Sequence, residues 1–324
     1  MFIEQGVHVE NKFWKYIIGS LAIILASTLG QIPLLLAVFI KSLSEGKNIP
    51  TKTEDLMKVF DSNLTLFLIL FSFVFALISI YYVVQYFHNQ SFISVTSSRN
   101  KVDWSRVLFS FSVWTFFTVA STAALYFISP QSFEINFKPI PFLILAVIAI
   151  VMIPIQTSTE EYVFRGYLMQ GFGNLSLNKW FPLVMTSLIF GGMHLFNPEV
   201  EKLGYIIMVY YIGTGFLLGI MTLMDEGMEL SLGFHAANNL IGALLVTADW
   251  SVFQTNSILK DISEPSAGFD VILPVVIIYP ILLYIFSKKY NWTNWTEKLT
   301  GKIEYSNINL INTKNEINHD TNLS

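Results

Sequence analysis

No cysteine occurs in the 324 residues, which excludes disulfides, thiolate nucleophiles, iron–sulfur clusters and Cys-ligated zinc together. Charge is scarce as well: 13% of residues are Asp, Glu, Lys or Arg, against about 25% in a soluble domain. The net charge is only -4 and no basic patch carries interleaved aromatics, so nothing points to nucleic acid. There is no His-Glu-x-x-His element, which speaks against a zincin-type membrane protease. No Gly-x-Ser element shares an apolar run with a histidine, which speaks against a serine intramembrane protease. Neither a soluble domain nor an internal repeat is visible, and the final residues Thr321-Asn322-Leu323-Ser324 are not a prenylation signal.

What the chain does contain is apolar surface. Hydrophobic residues make up 53% and the mean hydropathy is +0.55, which predicts an all-α, polytopic membrane helix bundle. Runs near Tyr16 to Ile40, Leu64 to Phe87, Val107 to Ile128, Pro141 to Gln156, Phe181 to Phe196, Leu203 to Met224, Leu230 to Thr247 and Val271 to Phe286 give about eight transmembrane helices. Six of the seven tryptophans flank these runs, as indoles at headgroup level do, and only Trp114 lies inside one. The first run is too long for a signal-peptide core and reads as the first membrane helix. With eight spans, twelve of the nineteen Lys and Arg residues fall on the side of the termini and seven on the other, which predicts both termini in the cytoplasm. A multi-pass protein of a prokaryotic plasma membrane is the expected location.

The chain is expected to divide into N-terminal transmembrane helices and loops (1–139), a core (140–250), a last loop and helix (251–301) and a mobile polar tail (302–324) rich in Asn. His8, His88 and His319 fall in loops or ends and read as solvated imidazoles.

The core holds ionisable groups where they are expensive. Glu160-Glu161-Tyr162-Val163-Phe164-Arg165 ends an apolar run, and a charged side chain at the bilayer centre costs roughly 2.5–3.5 kcal/mol on insertion scales, so such groups mark function by default. Residues four apart share a helix face. Glu161 precedes Arg165 by four, Phe190 precedes His194 by four, and His235 precedes Asn239 by four and Asn238 by three. Glu160 points about 100° away from Glu161, so one acid can pair with Arg165 while the other faces a cavity. Counted from the turns near Gly173 to Asn178 and Asp225 to Gly227, Glu160 lies roughly 20 Å deep, His194 roughly 24 Å, His235 roughly 13 Å and Asn239 roughly 19 Å. They are placed to meet at one level. Taken singly, Glu161 with Arg165 reads as a structural ion pair, and His194, or His235 with Asn239, as interhelical hydrogen-bonding residues. Gly215 and Gly219 read as a close-packing Gly-x-x-x-Gly pair.

Glu-Glu-x-x-x-Arg, Phe-x-x-x-His and His-x-x-x-Asn, in that order over roughly residues 140 to 247, resemble the CAAX-protease and bacteriocin-processing (Abi) family of intramembrane glutamic endopeptidases. The resemblance implies a helix bundle around a cavity open to the cytosol, and peptide hydrolysis without a metal or other cofactor. By position, Glu160 with His194 would activate a water, His235 with Asn239 would stabilise the oxyanion, and Glu161 with Arg165 and Phe190 would support the site. The partners implied are a peptide or protein substrate, which can be membrane-anchored, and the lipid bilayer. Two other readings stand beside it: a zinc-dependent membrane protease using both histidines and a glutamate, and a non-proteolytic immunity, binding or transport protein using the polar cavity.

Overall fold

The computed structural model describes residues 1–7, 11–50 and 53–304. His8, His319 and the tail beyond Glu304 lie outside the described residues. The chain is predominantly helical, with six helical stretches long and apolar enough to cross a membrane. The first pairs α1 (Phe13–Gly30) with α2 (Ile32–Glu45). The run Tyr16 to Ile40 is therefore a broken helix: Pro33 has no N–H to give Leu29, and the chain re-enters helix at Ile32. Next come α3 (Ser62–Tyr82) and α4 (Trp104–Ile128), whose N-caps Asp61 and Asp103 accept from the backbone N–H of Asn63 and Ser105 at 3.1 and 3.0 Å.

Helix α5 (Pro139–Glu161) starts on a proline and does not stop at the acidic pair. It continues through a π-helical segment, Tyr162–Leu168, into α6 (Met169–Ser176), making one stretch of 38 residues. Then follow α7 (Trp180–Met193), α8 (Ile207–Asp225), α9 (Glu229–Leu245) and α10 (Tyr279–Tyr290). Eight spans were expected. Six stretches meet the length and apolarity a span requires, while α7, with 14 residues, and α9, with 17, are shorter.

Neighbouring helices order the bundle. Helix α9 packs along α4 and α5, α3 along α1 and α5, and α7 along α8. Leu, Ile and Phe stand exposed on the outer faces, as at Leu25, Leu36, Phe116, Phe127 and Ile150. A surface of that kind suits hydrocarbon, where helices satisfy their own backbone groups. The interior core gathers Trp114, Phe164, Phe190, Met221, Phe234 and Tyr279. Two glycines mark close approaches. A Cβ on Gly215 would lie 2.8 Å from the Ser187 carbonyl oxygen, and one on Gly233 would lie 2.1 Å from that of Val107.

The two ends of the bundle are tied differently. After α4 and α9, a small sheet forms from β1 (Phe133–Ile135), β2 (Val246–Ala248) and β3 (Leu259–Asp261) in the order β1-β3-β2. Strand β1 pairs antiparallel with β3, Phe133 opposite Asp261, and β2 runs parallel to β3, Val246 opposite Leu259. At the other end the turn from α8 to α9, with Glu226 at φ 59°, is held by ion pairs. Arg99 reaches Asp225 at 3.2 Å and Glu229 at 3.1 Å, while Arg106 also bonds Asp225. The Trp292 indole donates to Asp225 at 3.1 Å.

Candidate active site

The acidic motif, the His194 segment and the His235 helix converge inside the bundle. Glu161 and Arg165 are both fully buried and bonded to each other at 3.2 Å. The guanidinium also donates to the Gly215 carbonyl at 3.2 Å and lies 4.3 Å above the Phe190 ring. A buried charge must be paired to be tolerated, and Arg165 meets that demand through three neighbours on three elements.

His235 lies between the two glutamates. Its Nδ1 is 2.7 Å from Glu161 Oε1, and its Nε2 is 3.5 Å from Glu160 Oε2. A carboxylate only accepts, so Nδ1 carries the proton toward Glu161. Glu160 keeps some contact with the outside, its side chain being 17% exposed. Its Oε1 accepts from Gln156, while its Oε2 is buried with no hydrogen-bond partner. Both acids carry an Oε2 without a hydrogen-bond partner, and they differ in surroundings: Glu161 is fully buried and paired with Arg165, while Glu160 is partly exposed and not paired with it.

His194 caps α7 and packs against the Phe190 ring. Its Nδ1 bonds the Phe190 carbonyl at 2.8 Å, which makes Nδ1 the donor and leaves Nε2 as an acceptor in the neutral ring. The Phe190 ring centre is 4.9 Å from that of His194 and 5.8 Å from that of His235, so both histidines border Phe190. Tyr211 stacks on His194 at 4.3 Å and 22°. Among the described residues no hydrogen bond or ion pair joins Glu160 to His194.

Asn239 turns toward Gln156, donating to its Oε1 at 3.1 Å. Its own Oδ1 accepts from Asn238 at 3.0 Å, and Asn238 Oδ1 accepts from the Trp114 indole at 3.1 Å and the Tyr210 hydroxyl at 3.3 Å. Spacing alone grouped His235 with Asn239. Here each faces a different partner on α5: His235 faces the two glutamates and Asn239 faces Gln156. Gln156 was missed, although it stands four residues before Glu160 and so on its face. Gly191 meets Ile212 closely, whereas Gly192 faces open space. No three His, Asp or Glu side chains among the described residues form a metal-holding group.

His88 departs from the solvated reading. It is buried, with Nδ1 3.1 Å from Asn11 Oδ1 and Nε2 2.9 Å from the Tyr167 hydroxyl.

Residues 139–241 match the model of a family described as type II CAAX prenyl endopeptidase, Rce1-like. That region runs from the start of α5 into α9 and contains the convergent groups. Over 252 residues the chain is 30% identical to the uncharacterized protein YyaK of Bacillus subtilis (strain 168), covering 77% of this chain and 83% of the relative. No solved structure matches.

Proposed function

Because the chain belongs to the CAAX-protease and bacteriocin-processing family of Rce1-like endopeptidases, we propose that it hydrolyses a peptide bond inside the membrane with Glu160 as general base. The substrate is a peptide or protein segment, and the site opens toward the cytoplasmic face, where both termini also lie. One observation carries the reading: Glu160 holds one carboxylate oxygen on Gln156 and presents the other, unpartnered, beside His235 Nε2.

The chemistry follows from which groups can give and which can take. Glu160 Oε2 takes a proton from water while the water oxygen bonds to the scissile carbonyl carbon. His194 Nε2 accepts from the other water hydrogen and orients the molecule. The carbonyl π electrons move to oxygen, and the resulting oxyanion is met by Asn239, which has a second N–H beyond the one on Gln156. His235 adds Nε2–H in its protonated state, with Glu161 on Nδ1 holding the ring in place. When the tetrahedral intermediate collapses, the C–N bond breaks and the proton on Glu160 passes to the departing amine. General base catalysis contributes about 10² to 10⁴ in rate and one oxyanion donor about 10² to 10³. Arg165 holds Glu161 in register, and Phe190 packs against both imidazoles. No step calls for a metal.

The test compares new peptide termini, by mass spectrometry, in membranes of cells carrying wild type or Glu160→Gln, each with and without chelator. Termini that require Glu160 and survive chelation are expected. Identical termini from both proteins would sink the proteolytic reading, and loss on chelation would replace it with a zinc mechanism.

A further inference from the structure

A single file of hydrogen bonds crosses the bundle toward Glu160. The Trp114 indole on α4 donates to Asn238 Oδ1, Asn238 Nδ2 to Asn239 Oδ1, Asn239 Nδ2 to Gln156 Oε1, and Gln156 Nε2 to Glu160 Oε1. Its direction is fixed chemically at both ends. An indole N–H can only donate, and a carboxylate can only accept. If Gln156 offers its NH₂ to Glu160, its oxygen must face Asn239, which must then offer NH₂ and receive Asn238 through oxygen. The Trp114 end, worked in the opposite sense, gives the same orientation for all three amides. Trp114 is also the one tryptophan inside an apolar run; it is 5% exposed, and its ring packs 4.4 Å from Phe234. A buried indole needs an acceptor for its N–H, and it finds one at the head of this file.

We propose that Gln156 and Asn238, anchored by Trp114 and Tyr210, form a one-way amide relay that positions Glu160. They are positioning residues, since none reaches the reacting atoms, and the inference rests on Glu160 being the general base. By occupying Oε1 the relay fixes the carboxylate rotamer and directs Oε2 toward the site. Through Asn239 the same file sets the angle of the oxyanion donor, so base and donor are held in mutual register by one side chain, Gln156. Hydrogen bonds linked head to tail polarise one another, so a change at the carboxylate end reaches the indole.

That last consequence supplies a readout a packing role would not move. The full-length protein in detergent micelles gives one indole ¹H–¹⁵N resonance per tryptophan, with Trp114 assigned by its loss in Trp114→Phe. Gln156→Leu, which keeps the bulk and removes both amide contacts, is expected to shift the Trp114 indole proton, and Glu160→Gln to shift it as well. An indole line unmoved in both variants overturns the relay. For the positioning role, kcat and KM are measured on an internally quenched farnesylated CAAX peptide. Gln156→Leu is expected to lower kcat by up to about a hundredfold, the cost of a misplacement near 1 Å, with KM within about twofold. The pair Trp114→Phe with Tyr210→Phe, which removes both donors to Asn238 and keeps an aromatic ring at each position, is expected to lower kcat less, and to add nothing in the Gln156→Leu background. A Gln156→Leu enzyme with wild-type kcat overturns the positioning role, as does full additivity of the two changes. Failure of the underlying reading looks different. Glu160→Gln would then retain turnover, while the indole shift would still decide the relay.

Discussion

Replacing Arg165 by Met tests whether a fully buried charge in the bundle is held as the geometry indicates. Arg165 and Glu161 have no exposed side-chain surface. The substitution removes the ion pair at 3.2 Å, the bond to the Gly215 carbonyl at 3.2 Å and the guanidinium 4.3 Å above Phe190. What remains for Glu161 is His235 at 2.7 Å. Breaking a buried pair by removing one partner costs about 3–5 kcal/mol, because the other charge is left uncompensated. Arg165→Lys keeps the charge but cannot reach the Glu161 carboxylate and the Gly215 carbonyl with one planar fork, and is expected to cost about 1.5–3 kcal/mol, the worth of one hydrogen bond to a charged group. The double change Glu161→Gln with Arg165→Met deletes both charges while leaving His235 an amide oxygen to donate to. It is therefore expected to be more stable than Arg165→Met alone, though it adds a mutation. Stability is read from denaturant unfolding in micelles, following tryptophan fluorescence. A cost under about 1 kcal/mol for Arg165→Met, or a double variant no better than the single one, would falsify the buried-pair account.

Two further outcomes follow from particular contacts. Gly233→Ala places a Cβ 2.1 Å from the Val107 carbonyl oxygen, backbone that cannot rotate away, so α4 and α9 must separate at a cost of about 1–3 kcal/mol, whereas Gly242→Ala on the same helix meets nothing within 4 Å and should be neutral or gain up to about 1 kcal/mol; equal melting temperatures for the two variants would refute the close-approach argument. His88, just past the end of its span, is pushed down to about 4, chiefly by burial and secondarily by Lys15, so its neutral form stabilises the fold fully above its unfolded value of about 6.5, and that contribution is lost as pH falls toward about 4. His88→Gln should lose less stability than wild type over that acid window, and parallel pH curves for the two would show that His88 is not the group responsible.

Much of the molecule can be read from the order of residues, and the parts that cannot share a physical cause. Apolar runs with tryptophans at their ends define the helices because lipid requires long apolar helices, a demand that acts on each segment separately. The break at Gln31 within the first run is harder to see, since Pro33 interrupts backbone bonding without lowering hydropathy. The same distinction runs through the site. Spacing of four placed Glu161 beside Arg165, and the same spacing, left unread, sets Gln156 beside Glu160, because both pairs lie on one helix. It could not say that His235 turns to Glu161 across 74 positions, or that Arg99 binds Asp225 across 126, because periodicity fixes a face and not what that face meets. His88 shows the converse: a histidine beside a span end reads as solvated until the packing of Tyr16 and Tyr167 around it is known. Trp114 bridges the two cases. As the one tryptophan inside an apolar run it departs from the interfacial rule, and its N–H demands an acceptor within the bundle. That demand could have directed attention to Asn238 and so along the amides to Glu160. Residues placed against their usual preference carry interhelical information that periodicity lacks, because the compensating contact must exist somewhere in the fold.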